Sequence, residues 1–147
     1  MNSPLKFRSS VLRCARMMSD EINTLLLPYR LNYSLWQVLF VIQQRNGCTS
    51  IEIADYLNVS KPSIAKRIHS LMQLNVLQHI ETEDKRKKML ILSPCGEQLF
   101  CKCSETIDQF EQNLIQYFDT ELLQTSSNLL QQIIQHLEYS KSGDIHD

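Results

Sequence analysis

The stretch TSIEIADYLNVSKPSIAKRIHSLMQL, residues 49–74, decides how the chain is read. Thr49 and Glu52 stand at the spacing of a capping box, in which hydroxyl and carboxylate satisfy free amides at a helix start, so a short helix is expected through Leu57. Asn58-Val59 supplies the turn. Ser60 suits the cap of a second helix, with Pro62 in its first turn, where a missing N–H breaks no internal bond. Apolar spacing carries that helix to about Leu74, and Asn75, a residue that tolerates the left-handed conformation, closes it. Val76–Thr82 and Lys88–Leu92 then take on strand composition on either side of a charged tip, Glu83-Asp84-Lys85-Arg86-Lys87. The predicted order is helix, turn, helix, hairpin.

Outward from this stretch the chain is helical. Phe7, Val11, Ala15, Met18, Ile22 and Leu25 step along one face of a first helix that should stop near Pro28, because the residue before a proline disfavours the α region. A second helix, about Ser34 to Arg45, ends at Asn46-Gly47. Ser93-Pro94 opens a long helix with Leu99, Cys103, Ile107, Phe110 and Leu114 on one stripe. Asp119 or Thr120 caps the last one, in which Leu122, Leu129, Leu130, Ile133, Ile134 and Leu137 form a wide apolar face. These terminal helices are too apolar to stand as an isolated pair, so they are expected to pack together and against a second copy of the chain. The fold class is therefore mainly α with a small β-hairpin wing: a winged helix-turn-helix, residues 30–93, flanked by N- and C-terminal dimerisation helices, residues 5–29 and 94–140, within a single domain over 1–147.

The chemistry expected of this arrangement is contact with double-stranded DNA. On a helical wheel of residues 61–74, Ile64, Ile68, Leu71, Met72 and Leu74 face inward, while Pro62, Ser63, Lys66, His69, Ser70 and Gln73 face out, flanked by Arg67. A helix entering a major groove needs short side chains near base edges and longer donors for the N7 and O6 acceptors or the flanking phosphates. Ser63, Lys66 and Arg67 are the groove candidates, and Ser60, Lys61, Pro62 and Ser70 complete the contact set. On the hairpin tip, Lys85, Arg86, Lys87 and Lys88 project too far to belong to a core, and Arg86 suits the negative potential of a narrow minor groove. Asp84, two residues before Arg86, is placed to orient its guanidinium.

Composition first argues against a nucleic-acid partner and then for one. The 147 residues carry a formal charge of −1, with 15 Lys and Arg against 16 Asp and Glu. By segment, residues 1–60 carry +2, residues 61–93 carry +4 and residues 94–147 carry −7, so a basic reading head is set apart from acidic terminal helices. Five cysteines without CxxC spacing indicate neither a disulfide framework nor a zinc site, and no metal or cofactor is expected. No apolar run approaches the roughly 18 residues needed to span a bilayer, so the expected location is the cytoplasm, away from membranes. No nucleophile and base pair, phosphate loop or metal cluster points to an enzyme.

Several of these segments together resemble the MarR family of winged helix-turn-helix transcription regulators. The resemblance rests on Leu31-Asn32-Tyr33-Ser34-Leu35-Trp36-Gln37-Val38-Leu39, on Ile53-Ala54-Asp55-Tyr56-Leu57-Asn58-Val59-Ser60, and most specifically on Asp84-x-Arg86 followed by Leu92-Ser93-Pro94-Cys95-Gly96. Asn75 and Pro62 are its two departures. The resemblance implies a homodimer on a pseudo-palindromic operator, with half-sites about 34 Å apart. It also implies control by a small, often aromatic, effector, for which Arg13, Met17, Tyr33, Trp36, Leu39 and Phe40 are the pocket candidates by position. The alternative control is thiol oxidation at Cys14, between Arg13 and Arg16 near the start of the chain. A third reading is a winged-helix protein-interaction module that never touches DNA.

Overall fold

The computed structural model describes residues 6–84 and 88–145, and its elements follow α1 (Phe7–Leu26), α2 (Tyr33–Gln44), α3 (Ser50–Leu57), α4 (Lys61–Gln73), β1 (Leu77–Glu81), β2 (Lys88–Leu92), α5 (Pro94–Ile115) and α6 (Thr120–Ile145). A single 3-10 turn, Leu27–Tyr29, holds Pro28, so α1 ends two residues before the proline, although Leu27 itself keeps right-handed helical backbone angles. Two compact units result, residues 1–107 and 108–147.

Local chemistry explains where the helices of the first unit begin. Asn32 caps α2, its side chain accepting from the Leu35 N–H at 2.8 Å, so α2 starts one residue earlier than its apolar spacing predicts. At α3 the capping box is complete: Thr49 Oγ1 accepts from the Glu52 N–H and Glu52 Oε1 accepts from the Thr49 N–H. The turns use asparagine where glycine is common, with φ of 54° at Asn46, 55° at Asn58 and 60° at Asn75. Asn is among the few non-glycine residues that reach this region readily.

The core of this unit is built from Leu26, Val38, Leu39, Val41, Ile42, Ile53, Ile64, Leu71, Val76 and Leu90, all essentially solvent-free. β1 and β2 pair antiparallel in the register Leu77↔Leu92 through Glu81↔Lys88. Cys48 adds a bridge to that hairpin, exchanging two backbone hydrogen bonds with Leu90 at 3.1 and 2.8 Å. The residue leading into α3 is thereby fixed to the base of the wing.

Val76, expected in the strand, instead belongs to a joint. Its carbonyl accepts from the Ser93 N–H at 3.0 Å, while Ser93 Oγ donates to the Asn75 carbonyl at 2.7 Å and accepts from the Gly96 N–H at 2.9 Å. A Cβ at Gly96 would overlap the Val76 carbonyl oxygen. One serine hydroxyl and one glycine thus join the end of α4, the exit of the wing and the first turn of α5.

In the second unit Asp119 is the cap of α6, its Oδ1 accepting from the Glu121 N–H at 2.7 Å. Leu122, Leu129, Leu130, Ile134 and Leu137 of α6 are all exposed.

Candidate nucleic-acid interface

The reading helix α4 buries Ile64 and Leu71 and turns Lys61, Pro62, Ser63, Lys66, His69 and Ser70 to solvent. No carboxylate occurs along it. Its orientation is set from both ends. At the start, Ser60 Oγ accepts from the Ser63 N–H at 3.3 Å and donates to Ser63 Oγ at 2.9 Å, which makes Ser60 the helix cap and still leaves the Ser63 hydroxyl proton for an outside acceptor. At the end, Asn75 delivers the chain into the joint with Ser93.

Arg67 differs from its expected role as a solvent-facing reader. It is half-buried, and its Nη1 donates to the Ser34 carbonyl at 3.4 Å, tying α4 to the first turn of α2. Between those helices runs an open groove of about 600 Å³. One wall is Asn32, Ser34 and Leu35; the other is Pro62, Ala65, Lys66, Arg67, His69 and Ser70. His69 Nε2 lies 3.2 Å from the Gln73 side-chain nitrogen. The partners Ser34 and Arg67 are 33 residues apart, and no local spacing signals their contact.

Ahead of the reading helix, α3 is anchored electrostatically. The Thr49 backbone N–H and then the Thr49 hydroxyl hold the Glu52 carboxyl below the usual carboxylate range, and Arg45, 3.2 Å away, adds to the effect. The Arg45 guanidinium also stands 5.6 Å from the centre of the Tyr56 ring, within cation–π range.

At the far side, the wing presents Lys88, exposed and opposite Glu81. Thr82 Oγ1 donates to the Asp84 carbonyl at 2.8 Å, which shapes the approach to the tip. Lys85, Arg86 and Lys87 lie outside the described residues, and with them the pairing expected between Asp84 and Arg86.

The six residues proposed by position for an effector pocket do not share one environment. Arg13, Met17 and Phe40 are exposed and Tyr33 is half-buried. Leu39 is solvent-free, and Trp36 is 7% exposed and stacked on Phe100 with ring centroids 4.8 Å apart. Trp36 and Leu39 are therefore buried, Trp36 against the aromatic partner that α5 supplies. The groove beside α4 contains none of the six. Cys14 is exposed on α1, its sulfur 3.9 Å from the Met18 thioether. Cys48 and Cys103 are buried, and burial pushes each thiol up to about 11. Among the described residues no helix is long and apolar enough to cross a membrane.

A helix-turn-helix with a β wing, a carboxylate-free cationic reading helix and long flanking helices define a winged-helix DNA-binding transcription regulator. Residues 31–87 match the model of the MarR family. The chain is 30% identical over 121 residues to the HTH-type transcriptional regulator YwoH of Bacillus subtilis (strain 168), a match covering 82% of this chain and 88% of that protein. It belongs to the MarR family. Its fold superposes on Staphylococcus aureus MarR in complex with salicylate and kanamycin, with a TM-score of 0.81, 24% identity and 89% of each chain covered. It also superposes on the S. aureus MepR–DNA complex, with a TM-score of 0.79, 18% identity, and 91% of this chain and 99% of that one covered.

Proposed function

We propose that the chain is a cytoplasmic, homodimeric repressor that reads a pseudo-palindromic operator through α4 and is released by a small, aromatic effector. The observation that carries the DNA contact is the outer face of α4, where Lys61, Ser63, Lys66 and Ser70 stand exposed with no carboxylate among them. Ser63 and Lys66 reach into the major groove, while Lys61, Pro62 and Ser70 lie against the flanking backbone. Ser60 acts through its cap on α4. On sequence, Arg86 takes the minor groove, oriented by Asp84, and Lys85, Lys87 and Lys88 add sequence-independent attraction. Support for an effector comes from the S. aureus relative bound to salicylate. Support for a dimer comes from apolar side chains left open on α1 and α6, among them Phe7, Leu12, Leu129, Leu130 and Leu137.

Fluorescence anisotropy on labelled duplex DNA tests the reading. Binding should weaken steeply between low and moderate salt, because each neutralised phosphate releases counterions. Absence of binding at low salt leaves the protein-interaction reading in its place. Arg86→Ala should weaken binding with little change in thermal midpoint, and unchanged affinity at fixed salt would remove the wing from the interface.

A further inference from the structure

Resting on that DNA-binding reading, we propose that the groove between α2 and α4 is a seat for the sugar–phosphate backbone, and that Arg67 is a positioning residue within it rather than a reader of bases. Arg67 has one N–H committed to the Ser34 carbonyl, which pins the guanidinium across the gap between the helices. A guanidinium has five N–H donors in a rigid fork, so donors remain for an oxyanion lying in the groove. Lys66 adds a second cation, and Ser34, His69 and Ser70 add groups able to donate hydrogen bonds. No acidic side chain lines this groove, so an anion entering it meets no like charge.

Size argues for a stretch of backbone over a free ion. At about 600 Å³ the groove would be left mostly empty by one inorganic phosphate, whose bulk is that of a few waters at roughly 30 Å³ each. The groove also lies on the same outer face of α4 as Ser63 and Lys66, so a duplex lying against that face would bring its flanking backbone there. With one donor turned to the Ser34 carbonyl, the Arg67 guanidinium is drawn across the groove, where its charge favours setting register over reading sequence.

The test uses the full chain, a labelled random-sequence duplex, and a second duplex recovered by selection from a random pool. Wild type, Lys66→Ala, Arg67→Ala and Arg67→Lys are titrated across salt, with thermal midpoints as the folding control. Each alanine variant should lower the slope of log affinity against log salt by about one; Arg67→Ala should lose on the order of fivefold to tenfold in affinity on both duplexes alike, whereas Lys66→Ala, which also reaches into the major groove, should lose more on the selected duplex. Arg67→Lys keeps the charge but not the fork. It should hold most of the salt slope while weakening both duplexes, a split that simple loss of folding would not produce. Wild-type slopes and affinities in folded variants overturn the seat while leaving DNA binding intact. Losses confined to the selected duplex overturn it by making Arg67 a base reader. A thermal shift of wild type by millimolar inorganic phosphate, absent in Arg67→Ala and with DNA slopes unchanged, overturns it in favour of a free-anion site. A wild type that binds neither duplex removes the underlying reading as well.

Discussion

Gly96 shows how much can depend on one hydrogen atom. The Leu92-Ser93-Pro94-Cys95-Gly96 motif is visible in the sequence as a pattern, but the reason for its last residue is the Val76 carbonyl pressed against the Gly96 Cα. Gly96→Ala should therefore destabilise by about 3 kcal/mol or more, since the obstacle is backbone and cannot swing aside. Urea unfolding measures it, and a loss under about 1 kcal/mol would contradict the packing described. The cysteines make a second residue-level prediction. With their thiols raised to about 11, Cys48 and Cys103 are ionised in roughly one molecule in a thousand at pH 8, and both are closed from solvent. Iodoacetamide should reach them only in denaturant, after the exposed Cys14, Cys95 and Cys101. Mass spectrometry of the labelled chain without denaturant contradicts this if Cys48 or Cys103 is modified first.

Among the elements, those defined by local chemistry are the ones the sequence displays. The capping box of α3, the Ser60 cap of α4 and the left-handed Asn75 depend on residues within four positions of each other. Thr49→Ala should cost about 1 kcal/mol at neutral pH. The charge of Glu52 stabilises α3 at neutral pH, because its carboxyl is held below the usual range, and that stabilisation is lost as pH falls through the folded-state value. Wild type and Glu52→Gln should thus differ in urea midpoint at pH 7, and the difference should shrink as pH is lowered past the ordinary glutamate range; a difference with no pH dependence would assign it to packing instead. What stayed hidden in the sequence is non-local. The bridge of Cys48 to Leu90, the stack of Trp36 on Phe100 and the tie of Arg67 to Ser34 join residues 42, 64 and 33 positions apart. Periodicity assigns Trp36, Leu39 and Arg67 to faces of helices; it does not say which neighbour covers them, and that is why the burial of Trp36 and Leu39 and the contact of Arg67 with Ser34 were not legible.

At the scale of the whole molecule, the proposed dimer would cover the apolar residues left open on α1 and α6. Leu12, Leu122 and Leu137 are each more than 60% exposed. Sedimentation equilibrium should return twice the 17.2 kDa of one chain, and Leu129→Glu with Leu137→Glu should bring it towards the single-chain value. An unchanged dimer in that variant would move the interface off α6. The joint of Ser93, Asn75 and Gly96 has a mechanical meaning as well. It lies at one end of α4, and Lys61 lies at the other, about 20 Å away over 13 residues at 1.5 Å each. Over that length an angular error of only about 5° at the joint would displace the tip by close to 2 Å, more than the whole span of distances over which an N–H still bonds an oxygen, so the ties at both ends of α4 decide whether its donors meet their acceptors.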